Sequence, residues 1–139
     1  MSDMPIKTKV ITVRTGRIVC DIEIADPAYR MTSPKLAAFV TNQYPDLPLH
    51  ACVNEVGTAF GSDIEKTSVP HMLEHLVVDI QTHETDTPRA TTFVGTTEWT
   101  DEDAGQARIE VSFRDDLQAL RAFNKALEFL NTAVLTCLP

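Results

Sequence analysis

The chain has 139 residues, of which 43% are hydrophobic and 23% are charged, a composition typical of one globular domain. Its formal net charge is −8 and its pI is near 4.8. Such a negative field repels phosphate backbones, so nucleic acid is excluded as an expected partner.

The cysteines limit the kinds of metal site that the chain can form, and the apolar runs indicate where the protein is located. Cys20, Cys52 and Cys137 form no CxxC pair, which excludes a four-cysteine zinc site and argues against a disulfide framework. No apolar run approaches the roughly 18 residues of a membrane span. The N-terminal residues also lack the charged-then-apolar pattern of a signal peptide. We therefore expect a cytoplasmic protein that does not bind membranes.

The first third of the chain predicts a β-hairpin followed by a helix. Residues 9–13 and 17–24 alternate between apolar and polar side chains, as the two strands of a hairpin do. A helix is predicted over residues 33–44, because Ser33 can cap its free amides and Pro45 cannot continue it.

The rest of the chain predicts a long loop, a helix, a second hairpin and a last helix. Residues 45–68 contain prolines and glycines and are expected to be irregular; loops of this length are often functional. A helix is predicted over residues 67–82, followed by strands at residues 91–99 and 107–113. The last helix begins near residue 115 and presents one apolar face.

This order of elements, ββα-loop-αββα, predicts an α+β fold. We expect a small antiparallel or mixed sheet of about four strands with the helices packed on one of its faces. Residues 1–139 are interpreted as a single domain in which residues 1–7 form a disordered tail.

Residues 71–75 read His-Met-Leu-Glu-His, an HxxEH motif on the second predicted helix. Residues four apart lie on one helix face, so His71 and His75 can present ring nitrogens to one ion at about 2.0–2.1 Å. Glu74 flanks that face and can act as a base toward a water whose pKa a bound ion lowers to about 7. This motif order is that of the inverzincin peptidases. It predicts a zinc-dependent, or other divalent-metal-dependent, hydrolase of amide or peptide bonds.

A catalytic zinc ion usually has three protein ligands and one open position. His50 is the first candidate for the third ligand, because it lies in the long loop just before the helix. Cys52 and the strand carboxylates Glu98 and Glu110 stay open as alternatives. The competing interpretation is that the two histidines of the motif are ordinary polar residues on a solvated helix face.

Asp79 lies one helical turn beyond His75 and about 12 Å along the axis from His71. It is therefore poorly placed to bind the same ion as His71. We predict instead that it accepts the second ring N–H of His75 and orients that ligand. His83 lies about 120° around the helix from His71 and is discounted.

The motif and its flanks resemble a known family over roughly residues 47–131. The similar positions are His50, Cys52, Gly57, Phe60, Thr67, residues 71–81, residues 95–97 and residues 109–113. Together they resemble the N-terminal domain of cyanophycin synthetase. The resemblance implies a metal-dependent hydrolase that cuts an arginine-bearing polyaspartate, with His71 and His75 as ligands and Glu74 as base. The helix alone is also similar to that of the much larger insulinase-type metallopeptidases.

The expected partner is thus a peptide-like or arginine-rich polymer, and an acidic protein can pair arginine side chains with its carboxylates. A non-catalytic module that binds a polymer or a protein, with a vestigial or structural motif, stays open as the alternative. A metal-storage or sensor protein is a further alternative. A homodimer is also compatible with the sequence, because small domains often dimerise to complete a site.

Overall fold

The computed structural model describes residues 4–50, 59–84 and 93–138. Within these residues the chain forms four strands and three α-helices, which confirms the predicted α+β class. In chain order they are β1 (Lys7–Arg14), β2 (Arg17–Glu23), α1 (Pro34–Gln43), α2 (Val69–Glu84), β3 (Gly95–Asp101), β4 (Gln106–Ser112) and α3 (Asp116–Cys137).

The four strands form one antiparallel sheet in the order β1-β2-β4-β3. The two predicted hairpins therefore lie side by side, with β2 and β4 in the centre. The β1–β2 turn contains Gly16 at a φ of 77°, a conformation that residues with a Cβ rarely adopt. Each edge strand carries one shift of register, between Thr8 and Val10 in β1 and between Trp99 and Asp101 in β3.

One face of the sheet is apolar and carries the helices. Ile18, Cys20 and Ile22 of β2 are fully buried, and Ile109 and Val111 of β4 lie beside them. The alternation predicted for residues 17–24 is thus confirmed. Helix α2 packs on β3 and β4, while α3 packs on α2, α1 and β2.

The folded part of the chain begins before β1. Ile6 is buried; its amide donates to Asn131 Oδ1 at 2.8 Å, and Asn131 Nδ2 donates to the Ile6 carbonyl at 3.1 Å. Lys7 is the first residue of β1. The prediction of a disordered tail over residues 1–7 is therefore wrong at Ile6 and Lys7.

The described residues of the segment predicted to be irregular include two short turns before α2. Single turns of 3-10 helix span Leu47–Leu49 and Phe60–Ser62. The amide of Phe60 donates to the carbonyl of His50 at 2.8 Å, which brings the two turns together. Cys52, one of the alternative ligands, lies outside the described residues. None of the helices in the described ranges combines the length and hydropathy that crossing a membrane requires.

Candidate metal centre

The N-terminal half of α2 carries the HxxEH motif. The hydroxyl of Ser68 accepts a hydrogen bond from the His71 amide at 3.1 Å, which caps the helix. One turn apart on this helix, His71 Nε2 and His75 Nε2 lie 3.1 Å from each other. Two nitrogens that bind a tetrahedral zinc ion at about 2.0–2.1 Å are separated by about 3.3–3.4 Å. The two rings thus converge with nearly the spacing that one shared ion requires.

Glu74 completes a group of three possible ligand residues. Its Oε2 lies 3.9 Å from His75 Nε2. Within the described part of the chain, the ligand atoms of His71, Glu74 and His75 all lie within 4.8 Å of one another. The carboxylate of Glu74 is therefore close enough to act on a group bound at the two imidazoles.

The strand β3 fixes the position of the Glu74 carboxylate. The Thr97 hydroxyl donates a hydrogen bond to Glu74 Oε1 at 2.7 Å. A Cβ atom added to Gly95 would lie 2.8 Å from both Cγ and Oε2 of Glu74, so this strand position leaves the room that the carboxylate fills. Burial raises the pKa of Glu74, although the Thr97 hydrogen bond and the charge of His50 act in the opposite direction. A raised pKa makes the carboxylate a better proton acceptor.

Both motif histidines are held in the neutral form. Burial lowers the pKa of His71, while the charge of Asp63 opposes that shift. Burial together with the neighbouring rings of His71 and His50 lowers the pKa of His75 to about 3. A neutral imidazole has the free lone pair that a metal ligand needs.

Phe60 holds the two rings from the side of the long loop. Its ring stacks on His75 with centroids 4.0 Å apart and planes inclined by 16°. It also meets His71 edge-on, at 5.0 Å between centroids. Because Phe60 is fully buried, it restricts the rotation of both imidazoles.

A chain of hydrogen bonds runs behind the imidazoles. The Thr67 hydroxyl lies 2.9 Å from His71 Nδ1. On the other side, His75 Nδ1 lies 3.1 Å from His50 Nδ1, and His50 Nε2 lies 2.9 Å from Asp79 Oδ1. The Nδ1 atoms of both motif histidines are therefore engaged, and their Nε2 atoms face each other.

The hydrogen-bond partners along this chain favour one set of tautomers. When Asp79 Oδ1 accepts from His50 Nε2, the other nitrogen of an uncharged His50 ring accepts at Nδ1, and His75 donates to it from its own Nδ1. In that tautomer, His75 Nε2 has a lone pair for an ion.

This geometry corrects two residue assignments from the sequence. His50, predicted as the third ligand, lies at the Nδ1 side of His75 rather than beside the two Nε2 atoms. Asp79, predicted to orient His75, accepts from His50 instead. A carboxylate therefore supports His75 as predicted, but it does so through the imidazole of His50, which lies between Asp79 and His75.

The alternative ligands on the strands point away from the motif. Glu110 forms an ion pair with Arg17, with 2.7 Å between Oε1 and Nε. Glu98 follows Thr97, which faces α2, and successive strand residues point to opposite faces. The structure therefore does not bring Glu98 or Glu110 to the imidazoles. His83, discounted from the sequence, lies instead 3.1 Å from Asp46.

Three supporting residues, Thr67, Phe60 and Thr97, were not assigned these roles from the sequence. Thr67 could have been found, because it precedes His71 by four residues in the helix predicted over residues 67–82, although α2 begins at Val69. Phe60 and Thr97 come from a turn and a strand, where no spacing rule links them to the motif.

No model of a known protein family and no curated protein matches the sequence of this chain. The arrangement of side chains around the N-terminal half of α2 is therefore the basis for a functional proposal.

Proposed function

We propose that this chain is a zinc-dependent hydrolase of amide or peptide bonds, in which His71 and His75 bind the ion and Glu74 is the general base. The observation that carries the proposal is the 3.1 Å approach of the two Nε2 atoms with the buried Glu74 carboxylate beside them. Neutral imidazoles are ligands that suit zinc.

The residues around the motif have separate tasks in this mechanism. A bound zinc ion supplies Lewis acidity, which polarises a carbonyl and makes water more acidic. Glu74 accepts the proton of the attacking water and delivers it to the leaving nitrogen. Thr97 holds one oxygen of Glu74, which keeps the other oxygen near His75 Nε2. Phe60 excludes water from one side of both rings.

An arginine-bearing polymer is the proposed substrate class. The resemblance to the N-terminal domain of cyanophycin synthetase supports an arginine-bearing polyaspartate or a peptide-like chain. The net charge of −8 supports it as well, because a negative field attracts guanidinium groups. We propose the cytoplasm as the compartment, where the free thiols of Cys20 and Cys137 remain reduced.

The Glu74→Gln variant tests the proposal. This change keeps the side-chain volume and the contact with Thr97 but removes the base, so turnover should fall by about 10²–10⁴-fold while zinc stays bound. Zinc is measured by elemental analysis, and hydrolysis by the amines released from cyanophycin and from arginine-containing peptides. The matched control is Glu98→Gln, which removes the same charge from the other side of β3 and should leave turnover unchanged.

Two results would contradict the proposed roles. Zinc-loaded wild type that cleaves no faster than zinc-loaded Glu74→Gln would support the non-catalytic binding module. Loss of zinc in Glu74→Gln would show that Glu74 is a ligand and not the base.

A further inference from the structure

A cavity of about 260 Å³ lies where the C-terminal ends of α1 and α2 meet α3. It is separate from the HxxEH motif, which occupies the opposite half of α2. Its polar lining consists of Gln43, Tyr44, Asp46, Asp79, His83, Glu84 and Lys125. Pro45 and Ile80 add apolar surface to the same walls.

The charges around this cavity favour a positive ligand. Asp46, Asp79 and Glu84 line it, while Lys125 is the one permanently charged base in its described lining. Lys125 Nζ lies 3.7 Å from Glu84 Oε2, and His83 Nε2 lies 3.1 Å from Asp46 Oδ2 and 3.6 Å from Asp79 Oδ1. Three carboxylates therefore face one ammonium group and one imidazole. The C-terminal ends of two helices add partial negative charge from their last carbonyl groups.

Asp79 provides an independent indication of a missing partner. Its side chain is 2% exposed, and its Oδ1 accepts from His50. Its Oδ2 is buried without a hydrogen-bond partner among residues 4–50, 59–84 and 93–138. A buried carboxylate oxygen without a donor is costly, and a bound cation with N–H groups removes that cost.

The negative charge of these carboxylates also acts on Tyr44, the aromatic residue that lines the cavity. Burial, with Asp79 and Glu84 adding to it, raises the pKa of Tyr44. The Tyr44 ring is fixed edge-on against Phe129, with centroids 5.0 Å apart. The cavity therefore combines negative potential with an ordered aromatic side chain, a setting in which organic cations bind.

We propose that this cavity binds an organic cation, namely the guanidinium or ammonium group of a side chain or a small amine. Its volume exceeds what a bare metal ion fills, and its apolar walls suit the alkyl stem of such a ligand. This site needs no metal, so it goes beyond the proposed hydrolase and is tested without it.

The test is a calorimetric titration of the metal-free chain, in chelator, with n-butylguanidine and with n-butylamine; n-butanol is the neutral control. We expect saturable binding of at least one of the two cations and none of the alcohol. Tighter binding of n-butylguanidine identifies a guanidinium site, and tighter binding of n-butylamine an ammonium site. Absence of saturable binding of both cations would overturn the proposal.

Two charge variants on the cavity wall should act in opposite directions. Glu84→Gln should weaken amine binding and Lys125→Gln should strengthen it, each by about threefold, as expected for partly exposed charges. The matched control is Glu128→Gln, which removes a carboxylate from the exposed side of α3. Equal weakening in Glu84→Gln and Glu128→Gln would show a non-specific charge effect and reject the site. Circular dichroism confirms that each variant is folded.

Discussion

Helices α2 and α3 pack against each other on the same sheet, yet they bury very different side chains. Among its 22 residues, α3 buries an almost wholly apolar face, in which Asn131 is the exception. The 16 residues of α2 include four buried polar side chains: Glu74, His75, Asp79 and Gln81. Burying polar groups costs folding free energy unless they are hydrogen-bonded. Under the proposed function, α3 serves stability and the buried polar residues of α2 serve the metal centre.

The buried polar groups of α2 find their partners on different elements. Glu74 accepts from Thr97 of β3, Asp79 accepts from His50 of the long loop, and Gln81 donates to the carbonyl of Ser112 at the end of β4. The hydrogen bonds that hold these side chains therefore form only when the loop, the helix and the sheet have assembled. The apolar face of α3 has no such requirement for exact partners.

The largest expected effect is on stability and comes from α3. Phe123→Ala removes a fully buried ring and should lower the free energy of unfolding by about 3–5 kcal/mol. Urea denaturation measures this loss, and Leu117→Ala, at a position that is 61% exposed, is the control. The zinc affinity of the folded Phe123→Ala protein should change less than twofold. A large drop in that affinity would contradict the assignment of stability to α3 and of metal binding to α2.

The next effect is on metal binding and comes from α2. His71→Ala removes one of two converging nitrogens and should weaken zinc binding about a thousandfold, a share of the ~10–16 kcal/mol that several ligands provide together. Competition with a chelating dye measures the affinity. His83→Ala, an exposed histidine on the same helix, should bind zinc as the wild type does. Equal affinities of the His71→Ala and His83→Ala proteins would refute the metal centre.

A smaller effect is expected from the residue behind the ligand. His50→Ala leaves both Nε2 atoms in place but removes the imidazole that links His75 to Asp79, so zinc affinity should fall about 10–100-fold. Combining it with Asp79→Asn should add little, because both changes interrupt one chain of hydrogen bonds. If His50→Ala instead matched the loss seen in His71→Ala, His50 would be a direct ligand.

Much of the fold follows from local patterns in the sequence. The alternation in residues 17–24 predicts which face of β2 is buried, and the spacing of apolar residues predicts α3. The HxxEH group is predictable for the same reason, because a helix places His71, Glu74 and His75 together without help from the rest of the chain.

The support of the site does not follow from local patterns. His50 precedes His75 by 25 residues, and the sequence predicts that it lies near the motif. Which ring nitrogen of His75 it faces depends on how the loop folds. Phe60 and Thr97 reach the motif through a turn and a strand whose distance from α2 is set by the packed core. Spacing along the chain contains no information on such contacts.

The register shifts in β1 and β3 have a consequence for the behaviour of the protein at high concentration. An uninterrupted edge strand is a template for another chain, and such contacts propagate into aggregates. Here both outer strands are interrupted, and β1 also carries Lys7 and Lys9. The sheet is thus protected at both borders against self-templated growth.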